Sequence, residues 1–209
     1  MRFDAAELTT VILAGGAATR IGGVDKGLVL LSGRPLIATV SEAVDRMVWR
    51  ASATYGSKAA FRFISANRNS ERYAEYGPVI ADSGPGYRGP LAGVAAALAT
   101  ARTTWVVTVP VDCPAPPEDL LLRLLAGLRP GVLGVVAHDG VRRQPLFALY
   151  HRELAASASK ACRRGLGVYA WQDEAGMGEV DFGDRRESFV NLNTPTDFRD
   201  WEARHATGT

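Results

Sequence analysis

Val11–Leu28 reads VILAGGAATRIGGVDKGL. The opening Val11-Ile12-Leu13 is an apolar, strand-like run that ends in Ala14-Gly15-Gly16. Arg20 follows, then a second glycine pair at Gly22-Gly23, then Asp25-Lys26-Gly27. Glycines after a strand let the backbone pass close to a phosphate and aim its N–H groups at it. Arg20 and Lys26 supply the positive charge that a di- or triphosphate requires. Two commoner phosphate loops are excluded. A Walker loop needs Ser or Thr after its lysine to hold magnesium, and Lys26 is followed by Gly27. The dinucleotide fingerprint GxGxxG is absent because Gly15 and Gly16 are adjacent. The stretch therefore reads as a nucleotide-phosphate loop of another kind. The plainer alternative is a glycine-rich turn with two surface cations.

Outward from this loop, strand-like and helix-like stretches alternate, which predicts a mostly parallel sheet with helices on both faces. Strands are expected at about Thr10–Leu13, Phe61–Ser65, Val79–Ala81 and Trp105–Val109. Pro35 opens a helix to about Arg50, with Ile37, Val40, Val44 and Val48 on one face. Further helices are expected at Glu71–Tyr76, at Leu91–Thr100, after Pro116 or Pro117, at Arg152–Arg164 and at Pro195–Ala203, the last capped by Thr194. Gly131–Ala137 and Pro145–Tyr150 form a β-pair around Asp139-Gly140, with edge strands at Val180–Phe182 and Phe189-Val190. Arg50–Ala60 and Ser83–Gly89 read as mobile loops. Ligands of open α/β sheets bind at the carboxyl ends of the strands. Leu13-Ala14-Gly15, Ser65–Asn67, Asp82 and Asp112 all fall at such ends, so one shared rim is expected.

The 209 residues suit one α/β domain, and 47% hydrophobic content is ample for its core. A net charge of +2 argues against bulk binding of nucleic acid or membrane, so the cations must act by position. Cys113 and Cys162 are far apart and lack a CxxC partner, and there are only three histidines. Neither a disulfide framework nor a zinc site is indicated. The N-terminus lacks the basic start and apolar run of a signal peptide, and no apolar stretch approaches the roughly 20 residues of a spanning helix. A reducing cytoplasm is the expected location.

The loop resembles the signature LAGGxxxRxGG-x-DK of nucleotidyltransferases that activate sugars, polyols and cofactors. Within that group the chain most resembles the molybdenum cofactor guanylyltransferases, which transfer GMP from GTP to molybdopterin. Ala81-Asp82-Ser83 and Gly89-Pro90-Leu91-Ala92-Gly93 match their "D…GPLAG" element, and Pro110-Val111-Asp112-Cys113-Pro114 their "PCDTP" element. Gln144–Leu149 is similar to their acceptor-side strand, and Asn191-Leu192-Asn193-Thr194-Pro195 to their "NxNTP". Ser65-Ala66-Asn67-Arg68 stands at their Asn-rich strand end, with Ser65 where an asparagine is frequent; Ile21 replaces a usual methionine. The resemblance implies an α/β, Rossmann-like three-layer sandwich of nucleotidyltransferase type. One domain would span 1–209, its nucleotide half about 1–115 and its acceptor half about 116–209.

The roles implied are these. Arg20 and Lys26 hold the β- and γ-phosphates and stabilise departing pyrophosphate, and Asp112 holds magnesium, with manganese an alternative. Arg20, Lys26 and Asp112 are the catalytic set. The nucleotide is further bound by Leu13, Ala14, Gly15, Gly16, Ser65, Asn67, Asp82 and Gly93, with Asp82 on a ribose hydroxyl or the guanine edge. Arg143, Arg163 and Arg164, with Arg142, are candidates for the anionic acceptor, as are Asn191 and Asn193, read as alternating along a strand. Simpler roles stay open: Asp112 as a helix N-cap, Asp82 as a turn residue, the arginines as solvated charges and the asparagines as turn caps. The Gly15-Gly16 pair favours GTP over CTP. A cytidylyl relative, a sugar-phosphate transferase and a noncatalytic nucleotide-binding module are the competing readings. GTP and molybdopterin are the expected partners, with transient contact to molybdoenzymes or their chaperones.

Overall fold

The computed structural model describes residues 8–15, 25–55, 61–82 and 89–205. Strands are β1 (Leu8–Leu13), β2 (Leu30–Leu31), β3 (Arg34–Pro35), β4 (Phe61–Ser65), β5 (Val79–Ile80), β6 (Trp105–Pro110), β7 (Gly134–His138), β8 (Arg143–His151) and β9 (Gly178–Asp181). Helices are α1 (Leu36–Tyr55), α2 (Ser70–Ala74), α3 (Pro90–Thr100), α4 (Leu120–Ala126), α5 (Ala155–Arg163), α6 (Val168–Glu174) and α7 (Pro195–His205). Seven strands form one sheet in the order β5-β4-β1-β6-β8-β7-β9. The pairs among β5, β4, β1 and β6 are parallel, as is β7 with β9. Within this sheet only β8 runs antiparallel to both its neighbours.

Side-chain alternation splits the core into two layers. Leu8 and Ile12 of β1, Trp105, Val107 and Val109 of β6, and Phe147 and Leu149 of β8 pack with α1, α4 and Phe198 of α7. Val11 and Leu13, Val106, Ala148 and Tyr150 point the other way, onto α3, α5 and α6. The central strands β1 and β6 are buried along their whole length, so their polar side chains find partners. Thr9 Oγ1 lies 2.6 Å from Thr103 Oγ1, and Thr108 Oγ1 donates to Leu146 O at 2.8 Å. Pro90 opens α3 at a position that needs no N–H, and Leu91–Leu98 are all buried. The small residues of α3 let it lie close on the sheet.

Several boundaries differ from the sequence reading. The β2–β3 hairpin and α6 carry too few periodic residues to be read in advance. The hairpin turns on Ser32-Gly33, both at positive φ, the backbone of a two-residue hairpin turn. Helix α4 begins at Leu120, not at Pro116 or Pro117. Arg152–Leu154 is a 3-10 turn before α5 rather than part of it. Phe189-Val190 is not a strand: Phe189 closes a 3-10 stretch from Gly183 and turns its ring onto Phe147 and Phe182. Of the loops expected to be mobile, residues 50–55 are instead the last turns of α1, while residues 56–60 and 83–88 lie outside the described residues.

Candidate active site

The carboxyl edge of the parallel strands is held level by backbone bonds that continue past the strands. Ala14 N donates to Ser65 O (2.8 Å), Val111 N to Leu13 O (3.1 Å) and Ala66 N to Ile80 O (3.0 Å). Above this edge lies a cavity of about 210 Å³. Leu13, Ala14, Gly15, Lys26, Ser65, Asp82, Gly93 and Asp112 all line it, together with Gly89, Pro90, Val111 and Leu146. Gly16 and Arg20 lie outside the described residues.

At one wall the Lys26 ammonium sits 3.0 Å from Asp112 Oδ2 and donates to Asn193 Oδ1 at 2.8 Å. About a fifth of the Lys26 and Asp112 side chains is exposed, so the pair faces the cavity without being sealed off. Three distant segments meet there. Leu192 N also donates to Asp112 O at 2.7 Å, tying the 191–193 segment to the end of β6. Asp112 is not the N-cap of α4, which starts eight residues later at Leu120. Its neighbour Cys113 is buried and donates its thiol to Ser188 O at 3.1 Å. Burial and the charge of Asp112 push that thiol well above its ordinary pKa, leaving it a structural anchor.

At the opposite wall Asn67 and Asp82 form a two-way clamp. Asn67 Nδ2 donates to Asp82 Oδ2 (2.8 Å), and Asp82 N donates to Asn67 Oδ1 (2.9 Å). Asn67 does not line the cavity itself; it orients Asp82, which does. Ser65 is buried beneath α3, where a Cβ at Gly93 would come within 2.6 Å of its Oγ. Gly93 is thus a close-approach glycine that lets α3 seat its first turn at the cavity.

A second cavity of about 340 Å³ shares Pro110 and Leu146 with the first. Arg142, Arg143, Gln144, Tyr169 and Asn191 line it. Asn191 Oδ1 is buried and takes no hydrogen bond among the described residues. Arg143 lies over the Tyr169 ring and is neutralised by Asp173 (2.6 Å) and Glu179 (2.8 Å), while Arg142 is mostly exposed. Arg163 and Arg164 line neither cavity. They end α5, and Arg164 is held by Glu174 at 2.8 Å. Asn191 and Asn193 do not alternate along a strand: one lines the second cavity and the other bonds Lys26 in the first.

One contributor escaped the sequence reading. Tyr73, on α2, is fully buried, and its hydroxyl donates to Asp25, which also accepts from Asn69 Nδ2 at 3.0 Å. A lone tyrosine on a five-residue helix carries no motif that would reveal this.

Lys26 and Asp112 set a charged pair on one wall, Asp82 offers an acceptor on the other, and a second cavity adjoins. A rim of this kind, on a mixed and mostly parallel sheet, is the architecture of an α/β nucleotidyltransferase. Molybdopterin-guanine dinucleotide biosynthesis protein A of Archaeoglobus fulgidus superposes with a TM-score of 0.74 at 22% identity, covering 96% of this chain and 100% of that one. CMP:2-keto-3-deoxy-manno-octonic acid synthetase superposes at 0.65 with 14% identity, over 95% and 97%. The chain belongs to the MobA-like NTP transferase domain family, whose model matches residues 10–175. The molybdenum cofactor guanylyltransferase of Vibrio cholerae is 39% identical over 196 residues, 93% of this chain and 91% of that protein. Its counterpart in Yersinia pseudotuberculosis is 40% identical over 199 residues, 94% and 96% respectively.

Proposed function

We propose that this chain transfers GMP from GTP to molybdopterin and releases pyrophosphate. The observation that carries the reading is the shared wall. The nucleotide-side cavity, with Lys26 and Asp112, shares Pro110 and Leu146 with a second cavity lined by Asn191, whose buried side-chain oxygen has no partner among the described residues. An in-line transfer needs two substrates meeting across such a wall. The acceptor oxygen forms a bond to the α-phosphorus, and the bond from that phosphorus to the β-bridging oxygen breaks. Both electrons of the broken bond leave with pyrophosphate, and no covalent protein intermediate is needed. Family membership and full-length relatives of this name support the assignment.

In this reading Gly15 brings its backbone to the phosphates, and Lys26 trades its partners Asp112 and Asn193 for the β- and γ-phosphates. Arg20 assists from the same loop. Asp82, oriented by Asn67, accepts from ribose or from the guanine edge. Ser65 and Gly93 shape the floor of the same pocket, and Gly16 is proposed to bind the nucleotide with them. Among the described residues no group of three or more His, Cys, Asp and Glu side chains is gathered for a metal. A lone carboxylate beside phosphates suits magnesium, which keeps most of its waters and takes one or two protein carboxylates. When bound by Asp112, magnesium or manganese would neutralise charge on the transferring phosphates. Asn191 and the Arg142–Arg143 rim receive the acceptor. Arg163 and Arg164 lack support for that role because they stand away from both cavities.

The chain works as one nucleotidyltransferase domain, its nucleotide half about 1–115 and its acceptor half about 116–209, although Leu146 and Asn193 of the second half complete the nucleotide side. No helix of the described residues is long and apolar enough to cross a membrane. We propose the cytoplasm as the chain's location, with transient contact to molybdoenzymes or their chaperones taking up the product. Incubation of the protein with GTP, molybdopterin and magnesium tests the reading. A guanine dinucleotide product with equimolar pyrophosphate is expected, and a product only with CTP would assign the chain to the cytidylyl relatives.

A further inference from the structure

Lys26 is flanked by Asp25 and Gly27, and both neighbours meet one buried hydroxyl. Tyr73 OH donates to Asp25 Oδ1, and the Gly27 backbone N–H faces the same phenolic oxygen. Gly27 has no Cβ, and a Cβ there would overlap the Tyr73 hydroxyl. Asn69 adds a second bond to the Asp25 carboxylate, at 3.0 Å, from a left-handed backbone conformation (φ 52°). That conformation is a strained one that asparagine tolerates better than most residues. The phenol is fully buried, so water does not compete for these bonds. A position that needed only apolar volume would be served by phenylalanine. Here the hydroxyl reaches only into the loop that carries Lys26, among the described residues.

We propose that the Tyr73 hydroxyl is a positioning group for Lys26. It pins the residues on either side, so that the ammonium stands between Asp112 and Asn193 before substrate binds. Burial and the Asp25 charge raise the phenol above its ordinary pKa, so it remains a donor at physiological pH. A lysine side chain is long and flexible, and its value to a transition state depends on where its backbone is anchored. The inference rests on the GMP-transfer reading for its catalytic consequence, and on the loop geometry for its structural one.

The test uses the full chain and the variants Tyr73→Phe, Lys26→Ala and the double variant. Tyr73→Phe keeps the ring and removes only the pin. Its single-turnover rate of GMP transfer is expected to fall by about tenfold or more, with a smaller change in the GTP dissociation constant. In the Lys26→Ala background the same change is expected to cost nothing further, because the group it positions is gone. An unchanged rate in Tyr73→Phe overturns the proposal. So does an equal loss in both backgrounds, which is the mark of general destabilisation. Amide hydrogen exchange across residues 25–28 needs no substrate. Faster exchange in Tyr73→Phe supports the pin even if the wild type transfers no GMP and the functional reading falls, and unchanged exchange overturns it.

Discussion

In the proposed transfer, Lys26 and Asp112 act through a contact that must be broken to be used. In the free protein the two charges satisfy each other at 3.0 Å. Phosphate then competes for Lys26 with a carboxylate and an amide already in place. In that proposed reaction the charge on pyrophosphate grows as it departs, which would make Lys26 worth more in the transition state than in the ground state. Lys26→Ala should lower the single-turnover rate by about a hundredfold, roughly 3 kcal/mol, with a smaller rise in the GTP dissociation constant. Lys26→Arg should rescue only part of this, because a planar fork does not reproduce a point charge. A wild-type rate in Lys26→Ala would reduce the residue to a structural partner of Asp112. Asp112→Asn keeps the size and a hydrogen-bond acceptor for Lys26 but loses the charge suited to a cation. Most turnover should disappear while the circular dichroism spectrum stays native, and full turnover at saturating magnesium would remove Asp112 from the catalytic set.

The element that completes the nucleotide wall is α7. Thr194-Pro195-Thr196-Asp197 forms a capping box with proline at the first helical position. Asp197 N donates to Thr194 Oγ1 at 3.2 Å, and Asp197 Oδ2 accepts from Thr194 N (2.8 Å) and Asn193 N (2.7 Å). The same carboxylate thus starts the helix and holds the backbone of the residue that bonds Lys26. The Asn193 N–H, followed by the Thr194 N–H and hydroxyl and the Lys26 charge, keeps the Asp197 pKa below its ordinary 3.8. A depressed carboxylate stabilises the fold above its unfolded pKa, and that stability is lost as pH falls through the folded value. Asp197→Asn should therefore melt earlier than wild type at neutral pH, and the two melting curves should converge on the acid side of 3.8. A gap that persisted unchanged into acid would show that the carboxylate charge is not what holds the cap. Thr194→Ala should cost about 1 kcal/mol by removing the other half of the box.

For the molecule as a whole, both cavities lie at a single edge of one sheet, where nucleotide and acceptor meet in the proposed reaction, and β8 is the strand that makes this possible. It runs antiparallel between β6 and β7, so the beginning of β8, not its end, lies at the edge where β1, β4 and β6 finish. Leu146 and Arg143 reach the rim for that reason. Ligand bound there stabilises the folded state by mass action. GTP with magnesium should raise the thermal midpoint, by an amount that grows with the logarithm of its concentration once the site is saturated, and CTP should do so less. Equal protection by CTP would overturn the guanine assignment, with the Asn67–Asp82 clamp the first place to look for the cause.

The α/β class, the strands β1, β4 and β6, and the polar residues at their ends follow from the amino-acid order. Those features depend on short-range rules: apolar runs bounded by glycine, period-2 alternation onto two layers, and turn chemistry. The capping of α7 by Thr194 was legible for the same reason. Which polar groups meet depends on the folded chain. Asn193 lies 167 residues from Lys26 and joins it only because the 191–193 segment is tied to the end of β6. Their i, i+2 spacing suggested that Asn191 and Asn193 shared one face, but without a strand that periodicity does not hold, and they serve different cavities. The basic pair at the end of α5 looked equivalent to Arg143, yet where α5 packs carries Arg163 and Arg164 away from the rim. Tyr73 gave no local signal, since its worth lies in partners 46 and 48 residues away that only a closed chain brings to its hydroxyl.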